Sequence, residues 1–163
     1  MGERFETSDG VGIVWHEWGA ELAGPPVVLH HGFGASAKLN WLGAGVIAAL
    51  TAAGRRVIAL DARGHGESDK PHDPAFYGED RMARDVSELI DHLGFPEFDL
   101  VGYSMGAIVS LIAGSREPRI RRLVIGRVVG QQGLDDVLVV DHAGVDPAPV
   151  SYTHLTLPTI LLV

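Results

Sequence analysis

Phe98-Asp99-Leu100-Val101-Gly102-Tyr103-Ser104-Met105-Gly106 decides how this chain is read. Its first four residues form a short apolar strand bounded by turn signals, and Ala107–Gly114, directly after it, reads as a buried helix. Between them stands G-x-S-x-G, a weak pattern in a Gly-rich chain but a much stronger one at a strand-to-helix junction. A turn that sharp forces its central serine into an unfavourable backbone conformation and lifts the hydroxyl clear of the sheet. The flanking Gly102 and Gly106 then lie so close to neighbouring backbone that a side chain does not fit.

Outward from this turn, strands and helices alternate. Val11–Trp18 reads as an exposed antiparallel strand paired with Arg4–Thr7 across Ser8-Asp9-Gly10. Pro26–His30 is a short apolar strand leading into a Gly-rich loop. Asn40–Ala53 carries Trp41, Leu42, Val46, Ile47 and Leu50 at helical spacing, with Gly54 as its C-cap. Arg56–Leu60 is a strand, and Glu79–Leu93 is a helix with Met82, Val86, Leu89, Ile90 and Leu93 on one face and Gly94 at its end. A further strand falls at Arg122–Ile125. Such alternation predicts βαβ units and a mostly parallel sheet covered by helices on both faces, an α/β fold. After Gly126 the pattern decays, and Val137–Val140 is a strand candidate without a place.

A serine hydroxyl is a poor nucleophile. It needs a base, a group that orients the base, and donors for the oxyanion that develops. Ser104 is the candidate nucleophile, and the Met105 N–H at the helix start is one candidate donor. His31-Gly32-Phe33-Gly34, directly after the strand ending at His30, offers a second through the Phe33 N–H. Its glycines allow the backbone to turn inward. Tyr103 and Trp41 are candidates for an acyl pocket, with core packing the alternative for Trp41.

Three motifs in order carry a resemblance: His31–Gly34, Asp61-Ala62-Arg63-Gly64-His65-Gly66-Glu67-Ser68, and Gly102–Gly106. Over roughly Arg4–Ile125 the chain resembles the N-terminal half of an α/β-hydrolase-fold enzyme. The resemblance implies a serine hydrolase working through an acyl-enzyme on a small ester, lactone or related acyl compound, without a cofactor. Serine rather than aspartate at the elbow argues against the epoxide-hydrolase and haloalkane-dehalogenase branches. A cofactor-free perhydrolase (haloperoxidase-like) and a carbon–carbon hydrolase on the same scaffold remain alternatives.

The family's order is nucleophile, acid, histidine, with the last two far downstream of the elbow. Here only the stretch to Val163 follows Ser104. It offers His142 and His154 as bases and Asp135, Asp136, Asp141 and Asp146 as acids, none on a recognisable series of elements. Acid and base therefore stay unassigned. Val150–Thr159 resembles a translated sequencing-library adapter, a native strand being the alternative. The expected organisation is a hydrolase-type core over residues 1–126 that breaks off after about the sixth strand, an uncertain segment 127–149 that could begin a cap, and a non-native tail over 150–163. A chain so built is expected to be inactive and poorly soluble.

Composition narrows the rest. The 163 residues, 46% hydrophobic and 21% charged, suffice for one globular domain. A net charge of −8 with no offsetting Lys/Arg cluster argues against nucleic-acid binding, and no uncharged stretch is long enough for a membrane span. Cysteine is absent, which excludes disulfides and thiolate chemistry. The charged N-terminus is unlike a signal peptide, so a cytoplasmic protein is expected. Gly32–Ala37 also fits G-x-G-x-x-A after a strand, with Asp61 as a ribose-binding acid, but a dinucleotide site leaves the later elbow without a role. Asp61, Arg63, His65 and Ser68 are expected to fix their own loop through buried hydrogen bonds and ion pairs, and His16, His72 and His92 to lie at the surface.

Overall fold

The computed structural model of the chain describes residues 2–127 and 136–141. Seven strands form one sheet: β1 (Glu3–Glu6), β2 (Gly12–Trp18), β3 (Val27–His30), β4 (Val57–Leu60), β5 (Phe98–Tyr103), β6 (Ile120–Arg127) and β7 (Asp136–Asp141), in the order β1-β2-β4-β3-β5-β6-β7. The four central strands are parallel, and the pairs β1–β2, β2–β4 and β6–β7 are antiparallel. Val137–Val140 thus finds a place at the sheet edge, paired in register with β6.

Near-continuous apolar runs in β3, β4 and β5 follow from burial on both faces. Val27 and Leu29 of β3 pack with Val57 and Ala59 against Trp41, Ile47 and Leu50 on one face. Val28, Ile58, Leu60 and Leu100 point to the other face, where Leu89, Ile90 and Val109 cover them. Helix α1 (Val46–Ala52) serves the first layer; α2 (Glu79–Leu93) and α3 (Met105–Gly114) serve the second. Helix α2 occupies the range its periodicity predicts, and Gly94 closes it by donating to the Ile90 and Asp91 carbonyls.

Two expectations are corrected. The continuous helix over Asn40–Ala53 is instead a π-helical turn, Lys38–Leu42, and then α1, because left-handed Gly45 interrupts the run with φ 76°. Strand β2 is largely buried rather than exposed, and His16 with it, because β2 is paired on both sides: Trp15 lies opposite Leu60 and His16 opposite Ala59. His72 and His92 are exposed.

Candidate active site

The strand order reverses at β3: α1 carries the chain from β3 to β4 on one side, while β5 pairs on the other. Loops leaving the carboxyl ends of two such strands diverge and open a crevice, the usual ligand position in a sheet of this kind. His30 lies opposite Gly102 in the register, so the loops that diverge here are His31–Gly34 and the turn at Ser104.

Ser104 has φ 53° and ψ −113° and is the only non-glycine residue with positive φ among the described residues. A backbone held there costs on the order of 1–3 kcal/mol and persists only where its surroundings dictate it. They do so here. The Ser104 N–H donates to the Gly126 carbonyl at 3.0 Å, and its own carbonyl accepts from Ala107 at 3.0 Å at the start of α3. A Cβ on Gly106 would strike the His30 carbonyl and come within 2.7 Å of the His31 oxygen; one on Gly102 would strike the Gly106 carbonyl and the Ser110 hydroxyl. These glycines let α3 approach β3 and β5 closely. The Ser104 side chain is exposed, and it makes no hydrogen bond to any described histidine.

The His31 loop is pinned against this turn. A Cβ on Gly32 would lie 3.2 Å from Ser104 Cβ and 3.1 Å from the Tyr103 ring. The Gly32 N–H donates to Asn40 Oδ1 at 3.0 Å. His31 is fully buried; its Nε2 accepts from the Ala62 N–H at 3.0 Å, so the ring proton sits on Nδ1 and is donated to the Gly32 carbonyl at 2.7 Å. Burial holds its pKa below the ordinary value. Among the described residues, neither the Phe33 nor the Met105 N–H has a hydrogen-bond partner.

Asp61 ties the same loop from below. It accepts from Ala37 N–H at 2.7 Å and Glu67 N–H at 2.8 Å, while the Ser68 hydroxyl donates to the Asp61 carbonyl at 2.6 Å. Arg63, 1% exposed, forks onto Asp85 of α2 at 2.8 and 2.6 Å and onto Asp9 of the β1–β2 turn at 2.9 and 3.1 Å. Burial opposes the Arg63 charge, but the two carboxylates outweigh it and hold the guanidinium above its ordinary pKa; Arg63 in turn holds Asp9 well below the carboxylate range. Ser68, Asp61 and Arg63 therefore act as the framework of their loop. His65 is half-buried and donates from Nδ1 to the Arg63 carbonyl at 3.1 Å.

A cleft of about 530 Å³ opens beside the His31 loop, lined by Phe33, His65, Tyr77, Glu79, Met82 and Met105, with Gly34, Gly64 and Gly78 between them. Sequence reading places the Met105 side chain in the core and misses its second surface, which faces this cleft. Trp41 and Tyr103 meet edge to face at 6.3 Å, with Trp41 buried in the α1 layer away from the cleft. His30 is buried with Nδ1 3.2 Å from the His31 carbonyl. No group of His, Asp and Glu that could hold a metal ion occurs among the described residues, and none of their helices is long and apolar enough to cross a membrane. His142, His154, Asp135, Asp146 and the adapter-like Val150–Thr159 lie outside the described residues, as does the bulk of the expected 127–149 segment and the whole 150–163 tail.

A family model for the alpha/beta hydrolase fold matches residues 25–126. The chain is 40% identical over 125 residues to the dihydrolipoyllysine-residue acetyltransferase component of the acetoin cleaving system of Pseudomonas putida, covering 76% of this chain and 31% of that protein. It is 36% identical over 142 residues to a 2-hydroxy-6-oxo-2,4-heptadienoate hydrolase of Pseudomonas putida, covering 82% and 49%. A solved hydrolase from Pseudomonas aeruginosa superposes with a TM-score of 0.67 at 33% identity, covering 79% of this chain and 48% of that one. The chain spans about a third to a half of the length of these relatives.

Proposed function

The chain belongs to the α/β-hydrolase fold family, and from that premise we propose that it carries the nucleophile and oxyanion hole of a serine hydrolase acting on a small carboxylic ester or related acyl compound in the cytoplasm. The observation that carries this reading is the backbone of Ser104, held at φ 53° between two glycines at the switch point of the sheet. Ser104 Oγ attacks the acyl carbon, and the Phe33 and Met105 N–H groups receive the oxyanion, the latter at the positive end of α3. Collapse expels the alcohol and leaves the acyl group on Ser104; water then releases it.

The attack requires a base. His31 has both ring nitrogens engaged and His30 is buried, so neither takes the role, and base and acid remain unassigned among the described residues. Preorganised donors stabilise the developing oxyanion whether or not the base is in place, and an activated ester needs the least help from a base, so slow attack by Ser104 on such an ester is what they support. The 163-residue protein treated with p-nitrophenyl acetate is therefore expected to acylate at Ser104 and to accumulate that adduct, read by peptide mass spectrometry, with no adduct in Ser104→Ala. Labelling no greater at Ser104 than at exposed Ser8 refutes the assignment. Identity to the heptadienoate hydrolase favours a second reading, cleavage of a carbon–carbon bond next to a carbonyl by the same serine. Release of a carboxylate from a vinylogous diketone, without ester acylation, would select it.

A further inference from the structure

The cleft beside the His31 loop has a one-sided charge. Among the described residues its lining contains no Lys or Arg, and Glu79, at the first turn of α2, is exposed and has no ion-pair partner there. Its neighbour Asp80 is taken by Arg116 at 2.7 Å. His65, half-buried in the same wall, turns its Nδ1–H to the Arg63 carbonyl.

The apolar walls are aromatic. Phe33 is 82% exposed and stands edge to face with His65 at 5.5 Å between centroids. Tyr77 turns its hydroxyl away, donating to the Pro71 carbonyl at 2.7 Å, so its ring is what it offers the cleft. Two aromatic rings and a carboxylate, with no Lys or Arg beside them among the described residues, suit a positively charged nitrogen, which is drawn to ring faces and to the carboxylate alike.

We propose that this cleft takes an acyl substrate bearing a cationic nitrogen, its ammonium group set against Phe33, Tyr77 and Glu79. The proposal rests on Ser104 as the acyl acceptor; the charge preference itself is a property of the cleft and is measured separately. Acetylcholine and its neutral isostere 3,3-dimethylbutyl acetate are titrated into the 163-residue Ser104→Ala protein at low ionic strength, with monoethyl succinate as the anionic probe. Phe33, Tyr77 and Glu79 are each expected to favour the cation by roughly 2- to 5-fold, about tenfold or more together. Glu79→Gln, at an exposed helix position, is expected to reduce that preference by about twofold or more, and Phe33→Ala to weaken it independently.

Equal binding of the cation and its isostere, tighter binding of the succinate ester, or a preference unchanged in Glu79→Gln overturns the proposal. Ser104 acylation without a cation preference overturns this inference and leaves the nucleophile standing. A cation preference without acylation overturns the nucleophile and leaves the charge selectivity.

Discussion

Acidification should destabilise the protein through His30, a histidine that does not touch the candidate nucleophile. The ring is fully buried at the end of the central strand β3, its Nδ1 faces the His31 carbonyl, and its Nε2 has no partner among the described residues. Burial lowers its pKa from 6.5 to about 3. A histidine with a depressed folded-state pKa contributes stability that is present above the unfolded value and is lost as pH falls from 6.5 toward 3. At pH 5 the unfolded ring is protonated and the folded ring is not, a difference of about 1.5 pH units or ~2 kcal/mol. His16 and His31 are shifted downward by burial too and add to the loss. Asp85 acts in the opposite sense: burial pushes its carboxyl up to about 6, so lowering the pH relieves part of its cost. Comparison with His30→Asn removes these shared contributions, because the amide keeps a donor for the His31 carbonyl and does not titrate. Urea unfolding followed by circular dichroism at pH 7, 6 and 5 should show the stability advantage of the parent over His30→Asn shrinking by ~2 kcal/mol between pH 7 and 5. If the two proteins lose stability in parallel over that range, His30 titrates normally and the argument from its burial is wrong.

Removing Arg63 by Arg63→Met leaves Asp85 buried without its counter-charge and should cost about 3–5 kcal/mol, read as a large fall in Tm, whereas Asp85→Asn with Arg63 intact should cost less because Asp9 still neutralises the guanidinium. His31→Leu deprives the Ala62 N–H of its acceptor and frees the Gly32 carbonyl, so it should slow Ser104 acylation by about tenfold or more at a pH where the protein remains folded by circular dichroism.

What could be read from the sequence was local. The turn at Ser104 announces itself because strand, glycine spacing and helix are contiguous, and α2 because Met82, Val86, Leu89 and Ile90 repeat on one face. What could not be read depended on partners distant in sequence. His16 looks like a surface residue until β2 is known to pair with β4, where it lies opposite Ala59, 43 residues on. The Arg63 fork joins carboxylates 54 residues before it and 22 after it. Met105 carries a single sequence signal, apolar at a helix start, which does not distinguish a core contact from a cleft wall; it supplies both.

The candidate site also shows where its rigidity originates. Apolar packing positions β3 and β5 but acts without direction, and it cannot fix which way a loop amide points. The amides around Ser104 are set instead by two buried polar groups that each grip two segments, His31 joining the Gly32 carbonyl to Ala62 and Asp61 joining Ala37 to Glu67, while half-buried Asn40 holds Gly32 by a single bond. Each of the two buried groups gives up hydration to be there and recovers it only if both of its bonds form. A loop held by such two-ended contacts has few alternative arrangements of similar energy, because displacing one amide leaves a buried acceptor empty elsewhere. That is the condition under which the Phe33 and Met105 N–H groups, which have no hydrogen-bond partner among the described residues, would serve as the proposed oxyanion donors.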